Sequence, residues 1–250
     1  MDYSWTVYAL LFLAGLCAGF VDSIAGGGGL IALPALLSVG LPPQVALGTN
    51  KLQGSFGTFT ATCNYIRKGE VRIKGANWGI LLTFIGAVTG AWAVQQLKTD
   101  FIKHLIPFLL FGVLIYTLFS SRMGYESRQA AISEKLFYLI FGCGLGFYDG
   151  FFGPGTGSFW TAAFVILLGY NMTRAAGYTR LMNFVSNIVA LAVFIIGDNV
   201  IYSLGICMAC GQMIGARLGS DMAIQKGAAF IRPIFMTVVF LTIARLVYIN

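Results

Sequence analysis

The chain has 250 residues, 58% of them hydrophobic and only 10% charged, with a formal net charge of +7. Soluble domains carry about 25% charged residues, so a soluble globular protein is excluded and a polytopic membrane protein is predicted. The bases are scattered over short polar stretches, which excludes the dense patch of a nucleic-acid binder.

Apolar segments are predicted at about 5–22, 28–39, 45–66, 76–96, 103–121, 135–149, 156–168, 174–196, 201–220 and 231–249. The first has no basic flank, Asp2 being its only charge, and no A-x-A site, so it is predicted as a retained helix. Trp5, Trp78, Trp92, Tyr202 and Tyr248 sit near segment ends, where amphipathic rings anchor to headgroups. The polar stretch "SRMGYESRQAAIS", 121–133, straddles the midpoint and divides the chain into a first membrane repeat (1–121), a linker (122–133) and a second repeat (134–250).

The halves resemble each other. "GLCAGFVDSIAGGG" (15–28) and "GCGLGFYDGFFGPG" (142–155) share six of fourteen positions. "ALGTNKL" (46–52) matches "AAGYTRL" (175–181), aligning Lys51 with Arg180, and "GAVTGA" (86–91) is matched to "GQMIGA" (211–216). Three blocks in the same order predict an internal duplication. If the short segments 28–39 and 156–168 both cross, the repeats are inverted. Eleven loop bases (Arg67, Lys68, Arg72, Lys74, Arg122, Arg128, Lys135, Arg174, Arg217, Lys226, Arg232) then share one side, against Lys98, Lys103 and Arg245. That split satisfies the positive-inside rule, whereas parallel repeats divide the bases eight to six. Inverted repeats with both termini outside the cytoplasm are therefore predicted.

Glycine runs do not hold a helix, and irregular backbone at membrane depth is tolerated only where protein buries it or it lines a watery cavity. Gly26, Gly27, Gly28 and Gly29, and then Gly153, Gly155 and Gly157 around Pro154, predict two helix breaks. Each frees the N-terminus of a short helix, and paired N-termini favour an anion. Asp22 and Asp149 precede the breaks at matching positions; carrying a coupling proton and capping the broken backbone are both open to them. Lys51 and Arg180, with Thr49, Asn50, Gln53, Thr179 and Asn183 beside them, predict two cations with hydroxyl and amide partners around a small oxyanion. Snorkelling to an interface is the plain alternative for the two cations. The other Gly pairs four apart are read as helix-packing positions.

No cofactor or metal site is expected. His104 is the single histidine, and Cys17, Cys63, Cys143, Cys207 and Cys210 are scattered through apolar segments. Cys207 and Cys210 have C-x-x-C spacing without a thioredoxin-like context. "GTNKL" lacks the Walker A frame and "GPGTGS" the G-x-G-x-x-G frame.

The blocks "GFVDSIAGGGGLIALPALLSVGLPPQVALGTNKLQ" and "GFYDGFFGPGTGSFW…AAGYTRLMNFVSN" resemble the two signature blocks of the TauE/SafE sulfite-exporter family, also called the toluene sulfonate uptake permease family. The resemblance covers nearly the whole chain. It implies a bacterial inner-membrane transporter of two repeats that moves sulfur-containing anions such as sulfite or organosulfonates. Members of that family are described with seven to nine spans, fewer than the ten segments counted along this chain.

The expectation is an all-α membrane protein acting as a secondary transporter, with an ion gradient as the driving force. Its expected partners are a small anion and the bilayer, a homodimer being left open. A membrane-embedded enzyme would need a nucleophile–base or metal cluster, and a structural subunit would not need duplicated charges at the breaks.

Overall fold

The computed structural model describes residues 3–119, 129–227 and 230, and among them the regular structure is all helical. The chain runs through α1 (Trp5–Ala25), α2 (Gly29–Ser38), α3 (Pro43–Arg67), α4 (Asn77–Gln95) and α5 (Thr99–Phe119). After the linker, α6 (Glu134–Phe137), a π turn (Tyr138–Gly142) and α7 (Cys143–Phe151) form one continuous rod. Then come α8 (Thr156–Leu167), α9 (Met172–Ile196) and α10 (Tyr202–Lys226). Nine of the ten predicted segments correspond to these elements; the segment 231–249 and most of the linker lie outside the described residues.

Local chemistry sets the ends. Pro43 stands at the first turn of α3, where a missing N–H costs nothing. Asn171 caps α9 by accepting from the Arg174 N–H at 2.9 Å. α1 stops at Gly26, whose φ of 86° is the left-handed conformation that glycine adopts without a Cβ clash. The rod of α7 ends likewise at Gly153, with φ of 99°. The short helices α2 and α8 follow these two breaks, as predicted.

Apolar side chains fill two interior clusters and also cover the outer faces. α1, α4 and α9 are each long and apolar enough to cross a membrane. Leu10, Leu13, Leu81, Phe84, Ile85, Phe147, Ile214 and Leu218 are exposed on the outer faces, as lipid contact requires. Polar residues turn inward instead: Asn50, Lys51, Gln53, Asp149, Arg180, Asn183 and Ser186 are all buried.

Contacts between the halves give the direction of each helix. On α1, Gly15 abuts the carbonyl of Met208 and Gly19 that of Gln212, so α1 and α10 run parallel. Gly86 and Gly90 of α4 abut the carbonyls of Cys143 and Phe147, so α4 and α7 run parallel as well. α3 and α9 run antiparallel: Gly48 lies against Phe194, Gly54 against Asn187 and Gly177 against Tyr65. The packing role predicted for Gly15, Gly19, Gly86 and Gly90 is thus the observed one, since each admits a neighbouring backbone.

Gly215 and Gly219 of α10 abut the carbonyls of Leu16 and Phe20 on α1.

Candidate functional site

The site forms where the two breaks cross. Gly26 and Gly157 meet so closely that a Cβ on Gly26 would lie 2.4 Å from the Gly157 carbonyl carbon, and Gly29 lies against Pro154. Only glycine backbone permits that approach, which carries the ends of α2 and α8 into the middle of the protein. Most of their first amides are already bonded, those of Leu30, Ile31, Thr156 and Ser158 to carbonyls of the breaks and that of Gly28 to Asp22, so what the two ends bring to the crossing is chiefly the positive end of each helix dipole.

Each aspartate that precedes a break reaches the base of the opposite half. Lys51 Nζ donates to Asp149 Oδ1 at 2.7 Å and also to the Asp149 carbonyl. Ser186 donates to Asp149 Oδ2, so both carboxylate oxygens are satisfied. Arg180 Nη1 donates to Asp22 Oδ2 at 2.7 Å, while the Gly28 N–H donates to Asp22 Oδ1 at 3.1 Å. Asp22 thus both pairs with a base and holds the broken backbone. The Lys51 and Arg180 side chains are 1% and 0% exposed, which rules out snorkelling in this conformation. An unpaired ion at such depth would be costly; pairing and added hydrogen bonds offset the desolvation.

A polar cavity of about 30 Å³ lies beside these pairs, room for about two waters. Its walls include Asp22, Gly26, Gly29, Asn50, Lys51 and Gln53 from the first half, and Asp149, Gly153, Gly155, Gly157 and Asn183 from the second. These were all anticipated. Gly54, Thr58, Asn187 and Gln212 also line it, and Ser186 supports it from behind. Those five were missed, although they follow Asn50 and Asn183 at helical spacing on α3 and α9, or face them from α10.

Other expected residues lie elsewhere. Thr49 accepts from the Ile201 N–H at 3.0 Å and so helps to hold the start of α10. Thr179 pairs with Thr161 at 3.0 Å, tying α9 to α8. Gly27 and Gly28 shape the break without lining the cavity. Arg180 is behind the wall rather than in it, with Nη2 directed at the backbone of Gly157. Among the described residues, no group of three or more histidine, cysteine or acidic side chains could hold a metal.

A helical membrane protein with two broken helices meeting around buried charges has the architecture of a membrane transporter. The chain belongs to the TauE/SafE sulfite-exporter family, whose description "Sulfite exporter TauE/SafE" matches residues 11–246. It is 41% identical to a "Probable membrane transporter protein" of Haemophilus influenzae, over 99% of this chain and 97% of that one. It is 42% identical to "Probable membrane transporter protein YfcA" of Escherichia coli K12, over 96% of this chain and 89% of the other. A "Sulfite exporter TauE/SafE family protein 6" of Arabidopsis thaliana is 30% identical over 42% of this chain. No solved structure matches the chain.

Proposed function

We propose that this protein is a secondary transporter that exports small sulfur oxyanions, sulfite or organosulfonates, across a bacterial inner membrane under an ion gradient. The observation that carries this reading is the exchange of charge partners at the crossing of the two breaks. Asp22 of the first half holds Arg180 of the second, and Asp149 of the second holds Lys51 of the first. Two halves joined by a pair of like bridges beside one crossing can rock about that crossing, opening one side as the other closes.

The duplication belongs to the same reading. α3 and α9 carry the matched bases and run antiparallel, as equivalent helices of inverted repeats do. Alternating access then follows from pseudo-symmetry: the two halves exchange conformations, and the site alternates between the two faces. The substrate class follows from the buried cations, the helix N-termini and the name of the family. The sequence carries no Walker A frame, so the driving force in this reading is a gradient.

The test is flux of radiolabelled sulfite from proteoliposomes holding the purified full-length chain, with and without an imposed pH or sodium gradient. Efflux above that of protein-free vesicles, accelerated by one gradient, is the expected result. Efflux equal to that of empty vesicles under every gradient would overturn the proposal.

A further inference from the structure

The two charge bridges are matched in position but differ in what they leave free. Asp149 is fully engaged by Lys51 and Ser186, and Lys51 is engaged by the Asp149 carboxylate and carbonyl. Arg180 is not. Its Nη1 serves Asp22, whereas Nε and Nη2 have no hydrogen-bond partner among the described residues, although the side chain is 0% exposed. Leaving buried donors unmade is costly. The difference has a local cause: the position on α3 that corresponds to Ser186 is Gly57, whose missing side chain is replaced by that of Gln212. Asp22 consequently takes its second bond from the Gly28 backbone.

The free atoms of Arg180 are also chemically specific. Nε and Nη2 form one edge of the guanidinium plane, with two parallel N–H bonds suited to two oxygens of one oxyanion. Nη2 points at Gly157, where a Cβ would sit 2.8 Å from it, and Gly157 is part of the cavity wall. The backbone of Gly157 is thus the wall between the unfilled edge and the cavity, and a shift of the break at that glycine would bring the edge to the cavity.

Resting on the transporter reading above, we propose that the substrate is held side-on by Arg180, through two of its oxygens, and that Lys51–Asp149 is a latch between the halves rather than an anion site. The class of substrate this selects has an O–S–O or O–C–O edge: a sulfonate, sulfite or carboxylate, in preference to a monoatomic anion. Asp22 then competes with the substrate for Arg180, so that arrival of the anion loosens one of the two bridges between the halves. The other bridge remains closed, and the protein can change conformation without separating.

The test is equilibrium binding of methanesulfonate, sulfite and chloride to the purified full-length protein in detergent, followed by calorimetry. Arg180→Lys keeps the charge but removes the two-pronged edge. It should weaken methanesulfonate and sulfite about ten- to a hundredfold, the loss of one charge-assisted bond, and chloride by less than about threefold. Asp22→Asn removes the competitor and should tighten methanesulfonate by about tenfold; it keeps the proposal testable if Arg180→Lys fails to fold. Unchanged sulfonate affinity in Arg180→Lys, or weaker sulfonate binding in Asp22→Asn, would overturn the assignment while leaving transport itself standing. A parent protein that binds neither methanesulfonate nor sulfite would overturn both.

Discussion

Lys51 and Asp149 are 98 residues apart in sequence and share one buried bridge. Truncating Lys51 would strand a buried carboxylate without its cation, and breaking such a pair costs about 3–5 kcal/mol. Lys51→Ala should therefore lower the unfolding free energy in detergent by about that amount. The double variant Lys51→Met, Asp149→Leu should recover most of the loss, because no charge is then left unpaired. Comparing the two by denaturant unfolding checks the account, which fails if Lys51→Ala unfolds within about 1 kcal/mol of the parent. Ser186→Ala removes a bond to a charged acceptor and should cost about 1.5–3 kcal/mol in the same assay.

Among the helices, the short pieces α2 and α8 depend on glycine at one crossing. Gly26→Ala combines a left-handed φ of 86° with a Cβ driven into the Gly157 backbone at 2.4 Å. Gly40 is a natural control, since its φ is 87° but nothing lies within 4 Å of an added Cβ. Gly40→Ala should cost only the conformational term, about 1–2 kcal/mol. Gly26→Ala should cost clearly more, because strain and overpacking add at one position. Thermal midpoints of the two variants decide it, and equal midpoints would mean that the crossing adapts.

Among the described residues the whole molecule has a basic end and a nearly neutral one. The loop between α3 and α4 brings Arg67, Lys68, Arg72 and Lys74 to the end where Tyr178 bonds the Arg72 backbone and Arg174 stacks on Tyr170 at 4.1 Å. α10 runs parallel to α3, so Lys226 closes the same end. Lys98 and Lys103 lie at the other end, near the contact of Gln95 with Asn199. By the positive-inside rule the first end should be cytoplasmic. A reporter active only in the periplasm should be silent when inserted in the 68–76 loop and active when inserted at 197–201. The reverse pattern would invert the orientation, and equal signals would contradict the antiparallel arrangement of α3 and α9.

Composition and hydropathy alone determined that this is an all-helical membrane protein, and the glycine runs located both breaks. These are local properties: a glycine run or an apolar stretch behaves the same way whatever it later meets. The residues of the site were also largely legible, because buried charge in an apolar chain stands out. Which charges pair was not legible. Asp22 finds Arg180 across 158 residues, and the matched copies gave no indication that Lys51 would be fully engaged while Arg180 kept a free edge. Nor could the sequence assign Thr49 and Thr179 to helix packing and Gln212 to the cavity wall, since a polar side chain at a given position on a helix faces whatever the neighbouring helix brings to it. Those outcomes depend on how antiparallel helices cross, and only the tertiary structure decided them.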